Sequence, residues 1–246
     1  MGPRGSGTLE PGQVRAMFDR IAGLYDVMNN VMTAGMHHRW RARAVELAAV
    51  GPGSRVLDVA TGTGDLALAL ADVVAPGGEV VGCDFSDEML VRARAKAPQL
   101  RFEWADALAL PYATGEFDAA TVGFGARNFA DLDRGLAELG RVVRPGGRIV
   151  ILEITQPTRE PLAAFYRGWF DHLVPALGAL AGDAAAYSYL PSSVRRFPTP
   201  AELAARMEHN GLEQIRYILT AGGIIALHVG VVAPGPAPRP AGGGQV

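Results

Sequence analysis

The stretch that decides the fold is VLDVATGTGD, residues 56–65. Its first four residues form an apolar run typical of a short buried strand, and the apolar run at residues 66–71 predicts a helix. Gly62 and Gly64 predict a turn between the two. A strand, a glycine turn and a helix N-terminus place backbone N–H groups around a space that a ligand can enter. The sequence therefore predicts a binding site for a nucleotide-like ligand at this turn.

The turn departs from the G-x-G-x-x-G pattern of dinucleotide-binding proteins, because Ala67 stands in the place of the third glycine. Asp65 lies at the start of the predicted helix, where a carboxylate agrees with the helix dipole but repels a pyrophosphate. The turn therefore favours a cationic or zwitterionic ligand over NAD. S-adenosylmethionine (SAM), with its sulfonium and amino groups, is such a ligand, and a nicotinamide oxidoreductase is the least favoured class of enzyme.

Composition limits the class of protein. The chain has 246 residues, of which 49% are hydrophobic, and its net charge is −2. It can bury the core of one large domain, and it lacks the positive charge of a nucleic-acid-binding protein. Cys83 is the single cysteine, which excludes an internal disulfide and a Cys-based zinc site, and its place in an apolar strand predicts a buried thiol. No apolar run reaches the ~18 residues of a membrane span, and no signal peptide is visible, so we expect a cytoplasmic protein.

Predicted strands and helices alternate through the middle of the chain, which favours a parallel sheet with helices on both faces. The predicted strands are residues 55–59, 79–84, 100–105, 117–124 and 148–153, and the predicted helices are residues 65–74, 87–96 and 131–143. Ser86 is the predicted N-cap of the second of these helices.

The flanking regions have a different pattern. Two helices, from about Gly12 to Tyr25 and at residues 37–50, precede the first strand, and we expect them to form an N-terminal helical cap. After the fifth strand we expect a helical insertion at 162–180, a loop at 187–200, a helix from Thr199 or Pro200 to His209, and two antiparallel strands at 212–219 and 223–232. The expected organisation is a disordered N-terminus at 1–12, one domain at 13–232 and a disordered tail at 233–246.

Polar residues follow several predicted strands at the edge where open α/β sheets bind ligands. Asp84 ends the second strand, and an acid there can accept hydrogen bonds from both hydroxyls of a ribose; NAD enzymes share this feature, and a turn acid is the alternative. Asp106 and Ala107 follow the third strand, and Gly123 leaves room at the end of the fourth. Arg127 has a fixed charge suited to an oxyanion or carboxylate, although a surface arginine paired with a nearby acid is the alternative.

A second dense patch, residues 25–40, reads YDVMNNVMTAGMHHRW. Its three methionines suit an adaptable apolar lining or, as the alternative, the filling of core gaps. Tyr25, Asn29 and His37 add polar groups. The His37–His38 pair is compatible with a metal, but no third ligand stands at a matching spacing, so we expect no metal site and a solvated or capping His38.

These motifs resemble a known family. Residues 25–40 are similar to the N-terminal signature of the UbiE/MenG family of quinone-precursor C-methyltransferases, with Thr33 where the family usually has Ser. Residues 141–155, RVVRPGGRIVILEIT, resemble its second signature, with Arg144 for the usual Lys and Thr155 for Ser. Residues 125–128, GARN, are similar to its Gly-Leu-Arg-Asn, with Ala126 for Leu. The segments YSYLPSS at 187–193 and GIIALHVG at 223–230 also look like its C-terminal half.

The resemblance implies an α/β fold of the class I methyltransferase, Rossmann-like type, with a seven-stranded sheet of order 3-2-1-4-5-7-6. It implies SAM as methyl donor and, as acceptor, a 2-polyprenyl-1,4-naphthoquinol (demethylmenaquinol) in menaquinone biosynthesis. The alternatives are a 2-polyprenyl-6-methoxy-1,4-benzoquinol in ubiquinone biosynthesis and a catalytically silent SAM-binding scaffold.

The resemblance also implies roles for single residues. We expect a SAM site made by Thr63, Asp84, Asp106, Ala107, Gly123, Gly62 and Gly64. Residues expected to help deprotonate the quinol are Tyr25, Asp65 and Arg127; for Asp65, a role only as a cofactor ligand is the alternative. Residues expected to bind the substrate are Asn128, Met28, Asn29 and His37.

The implied substrate points to the partners. A prenyl tail needs an apolar exit, for which residues 165–180 and the methionines of the cap are candidates. Because a prenylated quinol comes from a membrane, we expect transient contact with the inner face of the cell membrane. The sequence leaves the oligomeric state open, and a homodimer is among the partners we expect.

Overall fold

The computed structural model describes residues 11–23, 26–27, 30, 33, 35–157, 160, 164, 166, 168 and 184–234. Within these residues the helices are α1 Pro11–Ile21, α2 His37–Ala48, α3 Asp65–Val74, α4 Asp87–Lys96, α5 Leu132–Val142, α6 Ala184–Arg196 and α7 Pro200–His209. The strands are β1 Arg55–Val59, β2 Glu79–Asp84, β3 Arg101–Trp104, β4 Phe117–Gly123, β5 Val143–Ile154, β6 Leu212–Thr220 and β7 Ile225–Val232.

The strands form one seven-stranded sheet in the order β3-β2-β1-β4-β5-β7-β6, which confirms the predicted class I methyltransferase topology. Strands β1 to β5 pair in parallel, whereas β7 runs antiparallel to both β5 and β6. The order reverses at β1, between β2 and β4. The carboxyl ends of these three strands therefore meet at the switch point where open α/β sheets bind ligands.

Both faces of the sheet are buried. In β1, Val56 belongs to one apolar cluster, while Leu57 and Val59 belong to the cluster on the opposite face. This division follows from the alternation of side chains along a strand. It explains why β1 reads as a continuous apolar run, as is usual for a parallel strand covered on two sides.

The two N-terminal helices lie in different places. Helix α2 packs on the face of the sheet, where Trp40, Ala44 and Leu47 join the apolar cluster that also contains α3 residues, and the Arg148 guanidinium donates a hydrogen bond to the Leu47 carbonyl at 3.1 Å. Helix α1 instead packs against α4 and α6 and lies over the carboxyl edge of the sheet. Of the two, α1 is the helix that covers the ligand-binding edge.

The prediction of a loop at residues 187–200 is wrong for most of that range, because α6 extends to Arg196 and contains Pro191. Tertiary packing outweighs the proline: Tyr189 is buried against Val14 and Met17 of α1. The hydroxyl of Ser193 also donates to the Leu190 carbonyl at 2.9 Å. The predicted insertion at 162–180 lies almost entirely outside the described residues.

Other predicted boundaries agree with the structure to within a few residues. Ser86 caps α4 as predicted, with its hydroxyl accepting a hydrogen bond from the Met89 N–H. Thr199 and Glu202 form a capping box at the start of α7. Strand β5 begins at Val143, five residues before the predicted start at Arg148. Among the described residues, no helix has the length and apolar character needed to cross a membrane.

We predict that Leu136→Ala destabilises the protein by about 2–5 kcal/mol, because Leu136 of α5 is fully buried and its truncation leaves a cavity. The matched control is Leu219→Ala on β6, since that leucine is 51% exposed. The control should cost less than about 1 kcal/mol. Urea unfolding measures both, and equal costs for the two variants would contradict the placement of α5.

Candidate active site

A cavity of about 320 Å³ lies at the carboxyl ends of β1, β2 and β4. This volume falls within the range of about 300–1,000 Å³ that is typical of small-molecule sites. The residues that border it come from α1, from the glycine turn and from the segments that follow β2, β3 and β4: Gly12, Arg15, Phe18, Val59, Ala60, Gly62, Asp84, Phe85, Met89, Trp104, Ala105, Asp106, Ala107, Leu108, Gly123, Phe124, Gly125, Asn128, Phe129 and Ala130.

The glycine turn has a backbone that few other residues could adopt. Gly64 has a φ of 85°, and a Cβ there would lie 2.9 Å from the Phe102 ring. Gly125 faces the turn from the end of β4, and a Cβ there would lie only 2.4 Å from the Ala60 Cβ. Glycine at these two positions lets the turns after β1 and β4 approach each other and the start of α3 pack closely.

Asp84 connects the glycine turn to the end of β2. Its Oδ2 accepts a hydrogen bond from the Gly62 N–H at 2.8 Å, and its Oδ1 accepts one from the Ser86 N–H at 2.9 Å. Burial raises the pKa of the Asp84 carboxyl to about 6, although these N–H groups favour the ionised form. At neutral pH the cavity therefore contains a buried carboxylate in a fixed orientation.

Asp58 is a second buried carboxyl, in the interior of β1. It accepts hydrogen bonds from the Thr61 hydroxyl at 2.7 Å and from the Thr121 hydroxyl at 2.6 Å. Burial raises its pKa to about 6, and the two hydroxyls and Arg41 oppose this shift. Asp58 thereby joins the glycine turn to β4 from beneath.

The far end of the cavity is formed by the segment after β3. Asp106 and Ala107 border it, and the Asp106 carboxylate accepts a hydrogen bond from the Leu108 N–H at 2.9 Å. Trp104 is half exposed there, and its indole N–H donates to the Phe85 carbonyl at 2.9 Å. The cavity thus has a carboxylate at each of two points along its length, Asp84 and Asp106.

The predicted cofactor residues fall into two groups. Those that border the cavity are Gly62, Asp84, Asp106, Ala107 and Gly123. Thr63 and Gly64 do not border it. The Thr63 hydroxyl donates to the Asp26 carboxylate at 2.6 Å, and Gly64 contacts the helix and strand behind the turn.

Asp65 also lies outside the cavity, in a cluster of charges at the start of α3. Its carboxylate is 3.0 Å from the Arg41 guanidinium and 2.7 Å from the Lys96 ammonium. Burial raises the pKa of the Asp65 carboxyl, but Arg41 and Lys96 lower it by more, so the net shift is downward. Asp65 is therefore an ionised and weakly basic carboxylate.

His37 borders this charged cluster and does not border the cavity. Its Nδ1 contacts the Arg41 guanidinium, and its Nε2 lies 2.8 Å from the Asn30 Oδ1. Burial, Arg41 and His38 lower its pKa to about 4. The neutral ring with a proton on Nε2 satisfies both contacts. His38 is exposed, as predicted.

Arg127 is a buried partner in an ion pair. Its guanidinium is 2.7 Å from the Glu153 carboxylate and also donates to the Phe124 carbonyl, and both charged side chains are over 90% buried. The expected alternative of a surface arginine is wrong in its burial, although the arginine does pair with an acid. Asn128 borders the main cavity, and its buried Oδ1 has no hydrogen-bond partner among the described residues.

A second cavity, of about 270 Å³, lies behind this segment. Arg127 borders it, and Asn128 and Phe129 border both cavities. The other predicted site residues, Tyr25, Met28 and Asn29, lie outside the described residues. Within the part of the chain that the structure describes, no group of three or more His, Cys, Asp or Glu side chains is arranged to hold a metal.

The sequence profile of the ubiE/COQ5 methyltransferase family matches residues 7–232. The chain belongs to this family. It is 49% identical over 219 residues to a demethylmenaquinone methyltransferase of Thermus thermophilus, a match that covers 87% of this chain and 99% of that relative. A protein of the same name from Deinococcus radiodurans is 47% identical, with 88% and 91% covered. A ubiquinone/menaquinone biosynthesis C-methyltransferase UbiE from Syntrophotalea carbinolica is 44% identical, with 89% and 94% covered.

Solved structures of more distant proteins share the fold. The [4+2]-cyclase SpnF superposes with a TM-score of 0.67 at 17% identity, covering 92% of this chain and 97% of that chain. A SAM-dependent methyltransferase from Aquifex aeolicus gives a TM-score of 0.59 at 16% identity, with 92% and 100% covered. Family membership confirms the predicted resemblance and the enzyme class, a methyltransferase. Together with the fold it implies SAM as cofactor.

Three residues of this family member were missed by sequence reasoning. Asp58 could have been identified from the sequence, since a single acidic residue within a buried apolar strand is informative. Glu153 lies in the second signature and Arg41 in the helix predicted at residues 37–50, but their partners come from distant positions in the chain. Neither ion pair corresponds to a sequence spacing that would have indicated it.

We predict that Asp58 lowers the free energy of unfolding by up to about 3 kcal/mol as pH rises from about 4 to 6, and that Asp84 adds a fall of similar size. The Asp58 pKa of about 6 exceeds that of an unfolded aspartate, so the folded state holds the proton more tightly through this window. Asp58→Asn removes this contribution, and the slope should become smaller, with the remainder due to Asp84. Urea unfolding across the pH range measures it; Asp72→Asn, at an exposed helical position, is the control. An unchanged slope in Asp58→Asn would contradict the assignment.

Proposed function

We propose that this protein transfers a methyl group from SAM to a ring carbon of a prenylated quinol, converting demethylmenaquinol to menaquinol. One observation carries the proposal: the chain matches a demethylmenaquinone methyltransferase over 99% of that relative's length, and its sheet edge holds a 320 Å³ cavity bordered by two carboxylates. The carboxylates fit the donor, and the relatives indicate the acceptor.

The cavity suits SAM, which when bound supplies an electrophilic methyl group on a sulfonium. Each oxygen of Asp84 accepts one backbone N–H bond and retains capacity for a second hydrogen bond, so the carboxylate can receive two ribose hydroxyls. Asp106 is placed to accept a hydrogen bond from the adenine amino group. Phe85 and Ala107 add apolar surface between these two points, and Gly123 leaves room beside β4.

Arg127 is proposed to stabilise the partial negative charge that develops on the quinol oxygen while its proton is transferred and the ring carbon bonds to the methyl group. Its ion pair with Glu153 fixes the guanidinium at the end of β4 and makes the pair neutral overall. Stabilisation of the developing charge must therefore come from directed N–H donation more than from net positive charge. Asn128, the next residue, offers its buried amide at the boundary between the two cavities.

Asp65 is proposed as the acceptor of the hydroxyl proton. A phenol lies about six pKa units above a carboxyl, or about 8 kcal/mol, and the lowered pKa of Asp65 widens this gap. The carboxylate cannot hold the proton of a resting quinol. It can accept that proton, directly or through a water, as the ring carbon bonds to the methyl group, because the hydroxyl then becomes strongly acidic. The methylated carbon afterwards gives its hydrogen to water as a proton and the carbonyl oxygen takes up a proton, so the ring regains aromaticity as the methylated quinol.

We also propose that helix α1 excludes water from the cavity. Arg15 of this helix pairs with Asp87 at 2.5 Å, and its Phe18 meets the Phe85 ring edge-on. Because the substrate carries a prenyl tail, we propose that the protein contacts a membrane surface transiently while it takes up the quinol. The roles of Tyr25, Met28, Asn29 and His37, and a homodimer, stay predictions.

We predict that the purified protein converts demethylmenaquinol to menaquinol in the presence of SAM. Mass spectrometry of the extracted quinone should show one methyl group in place of one ring hydrogen, and S-adenosylhomocysteine should form in equal amount. NAD in place of SAM is the control and should give no product. Faster methylation of the prenylated methoxybenzoquinol would replace the proposed acceptor, and no methylation of either quinol would contradict the function.

We predict that Arg127→Lys lowers kcat about 10- to 100-fold, because lysine keeps the charge beside Glu153 but loses the planar set of donors. The Kd for SAM, measured by calorimetry, should stay within about threefold of the original value. Lysine is preferred to alanine here, since alanine would leave the Glu153 carboxylate buried without its partner. The matched control is Arg144→Lys, at an exposed position. A fully active Arg127→Lys enzyme would remove the guanidinium from the mechanism.

A further inference from the structure

Lys96 is the only lysine in the sequence. The other 22 of the 23 lysine and arginine residues are arginines. It is the last residue of α4 and does not border the main cavity. Its ammonium lies 2.5 Å from the Asp26 carboxylate, 2.7 Å from the Asp65 carboxylate and 3.1 Å from the Thr63 hydroxyl. In a chain so strongly biased toward arginine, the one ammonium group is surrounded by three oxygens.

The geometry explains why arginine does not replace it. Three acceptors converge on a single nitrogen, and an ammonium has three donors around one nitrogen, whereas a guanidinium spreads its donors over a planar fork. A fourth contact closes the cluster, because the Thr63 hydroxyl donates to the other oxygen of Asp26 at 2.6 Å. The side chains are only partly exposed, at 29% for Lys96, 38% for Asp26 and 20% for Asp65.

The cluster joins three separate parts of the chain. Asp26 precedes α2, Thr63 and Asp65 belong to the glycine turn and the first turn of α3, and Lys96 ends α4. The Asn30 side chain donates to the Asp26 carbonyl and contacts His37 at the start of α2. Without the ammonium, the carboxylates of Asp26 and Asp65 would have only the Arg41 guanidinium, which contacts Asp65, to offset their repulsion.

We propose that Lys96 is a positioning residue for methyl transfer: its ammonium holds the chain at Asp26 against the glycine turn and fixes the orientation of the Asp65 carboxylate. This inference rests on the proposed function. Lys96 acts through Asp65 and through the segment that contains Asp26, and it does not itself touch the donor cavity. The groups that face Asp65 are Lys96 from α4, Arg41 and His37 from α2, and Asp26 from the preceding segment.

The test compares Lys96→Met, Lys96→Arg and the control Arg144→Met, at an exposed position of β5. Lys96→Met keeps the length of the side chain and removes the charge. It should lower kcat about 10- to 100-fold, as expected when a reacting group is misplaced, with the SAM Kd within about threefold. The acid limb of the kcat–pH profile should move to higher pH, because Asp65 loses a cation. Lys96→Arg should restore the acid limb, because it restores the positive charge. It should recover little of kcat, because a guanidinium does not restore three donors on one nitrogen.

A second measurement does not depend on the quinol. Hydrogen exchange of the peptide that contains Asp26 and Asn30 should become faster in both Lys96 variants and stay unchanged in Arg144→Met. If the wild-type protein methylates neither quinol, while exchange still responds to Lys96, the proposed function fails and the positioning role stands. Unchanged exchange, an active Lys96→Met enzyme, or full recovery of kcat in Lys96→Arg would each overturn the proposal.

Discussion

The hydrogen bond from the Gly62 N–H to the Asp84 carboxylate, at 2.8 Å, is the interaction on which the ligand-binding edge depends. It joins the turn after β1 to the end of β2 at the point where the strand order reverses. A left-handed glycine aims the N–H, and the Ser86 N–H holds the other oxygen. If this bond were lost, a buried carboxylate would remain without one of the backbone donors that favour its charge, and the turn would lose this attachment to the neighbouring strand.

Four neighbouring strands each contribute one buried polar side chain near their carboxyl ends, next to the cavity. Asp58 is on β1, Asp84 on β2, Thr121 on β4 and Glu153 on β5. Burying such groups costs free energy unless each finds a partner, and here the partners are hydroxyls, backbone N–H groups and one guanidinium. These buried polar groups lower the stability of the fold but orient the turns at the sheet edge, because their partners come from different elements.

The sequence was sufficient for the parts of the fold that local pattern determines. Apolar runs, the glycine turn and the caps at Ser86 and Thr199 are short-range signals, so the parallel strands and most helices were predicted to within about five residues. Helix α6 was not, because its stability comes from Tyr189 packing on α1, more than 170 residues away in sequence. The cavity residues at strand ends, such as Asp84 and Asp106, follow from topology and were predicted. The ion pairs of Arg127 and Asp65 depend on side chains that meet only in the folded chain.

The scarcity of thiol and amine side chains has a consequence if the proposed quinol is the substrate. An oxidised quinone is an electrophile that adds thiolates and amines at its ring. The chain has one thiol and one lysine side chain. Cys83 is fully buried, and burial raises the pKa of its thiol, so the reactive thiolate is scarce. The Lys96 ammonium is paired with the carboxylates of Asp26 and Asp65. If the proposed quinol is the substrate, a quinone formed from it by stray oxidation meets a buried thiol and an ion-paired amine, which limits covalent addition to these two side chains.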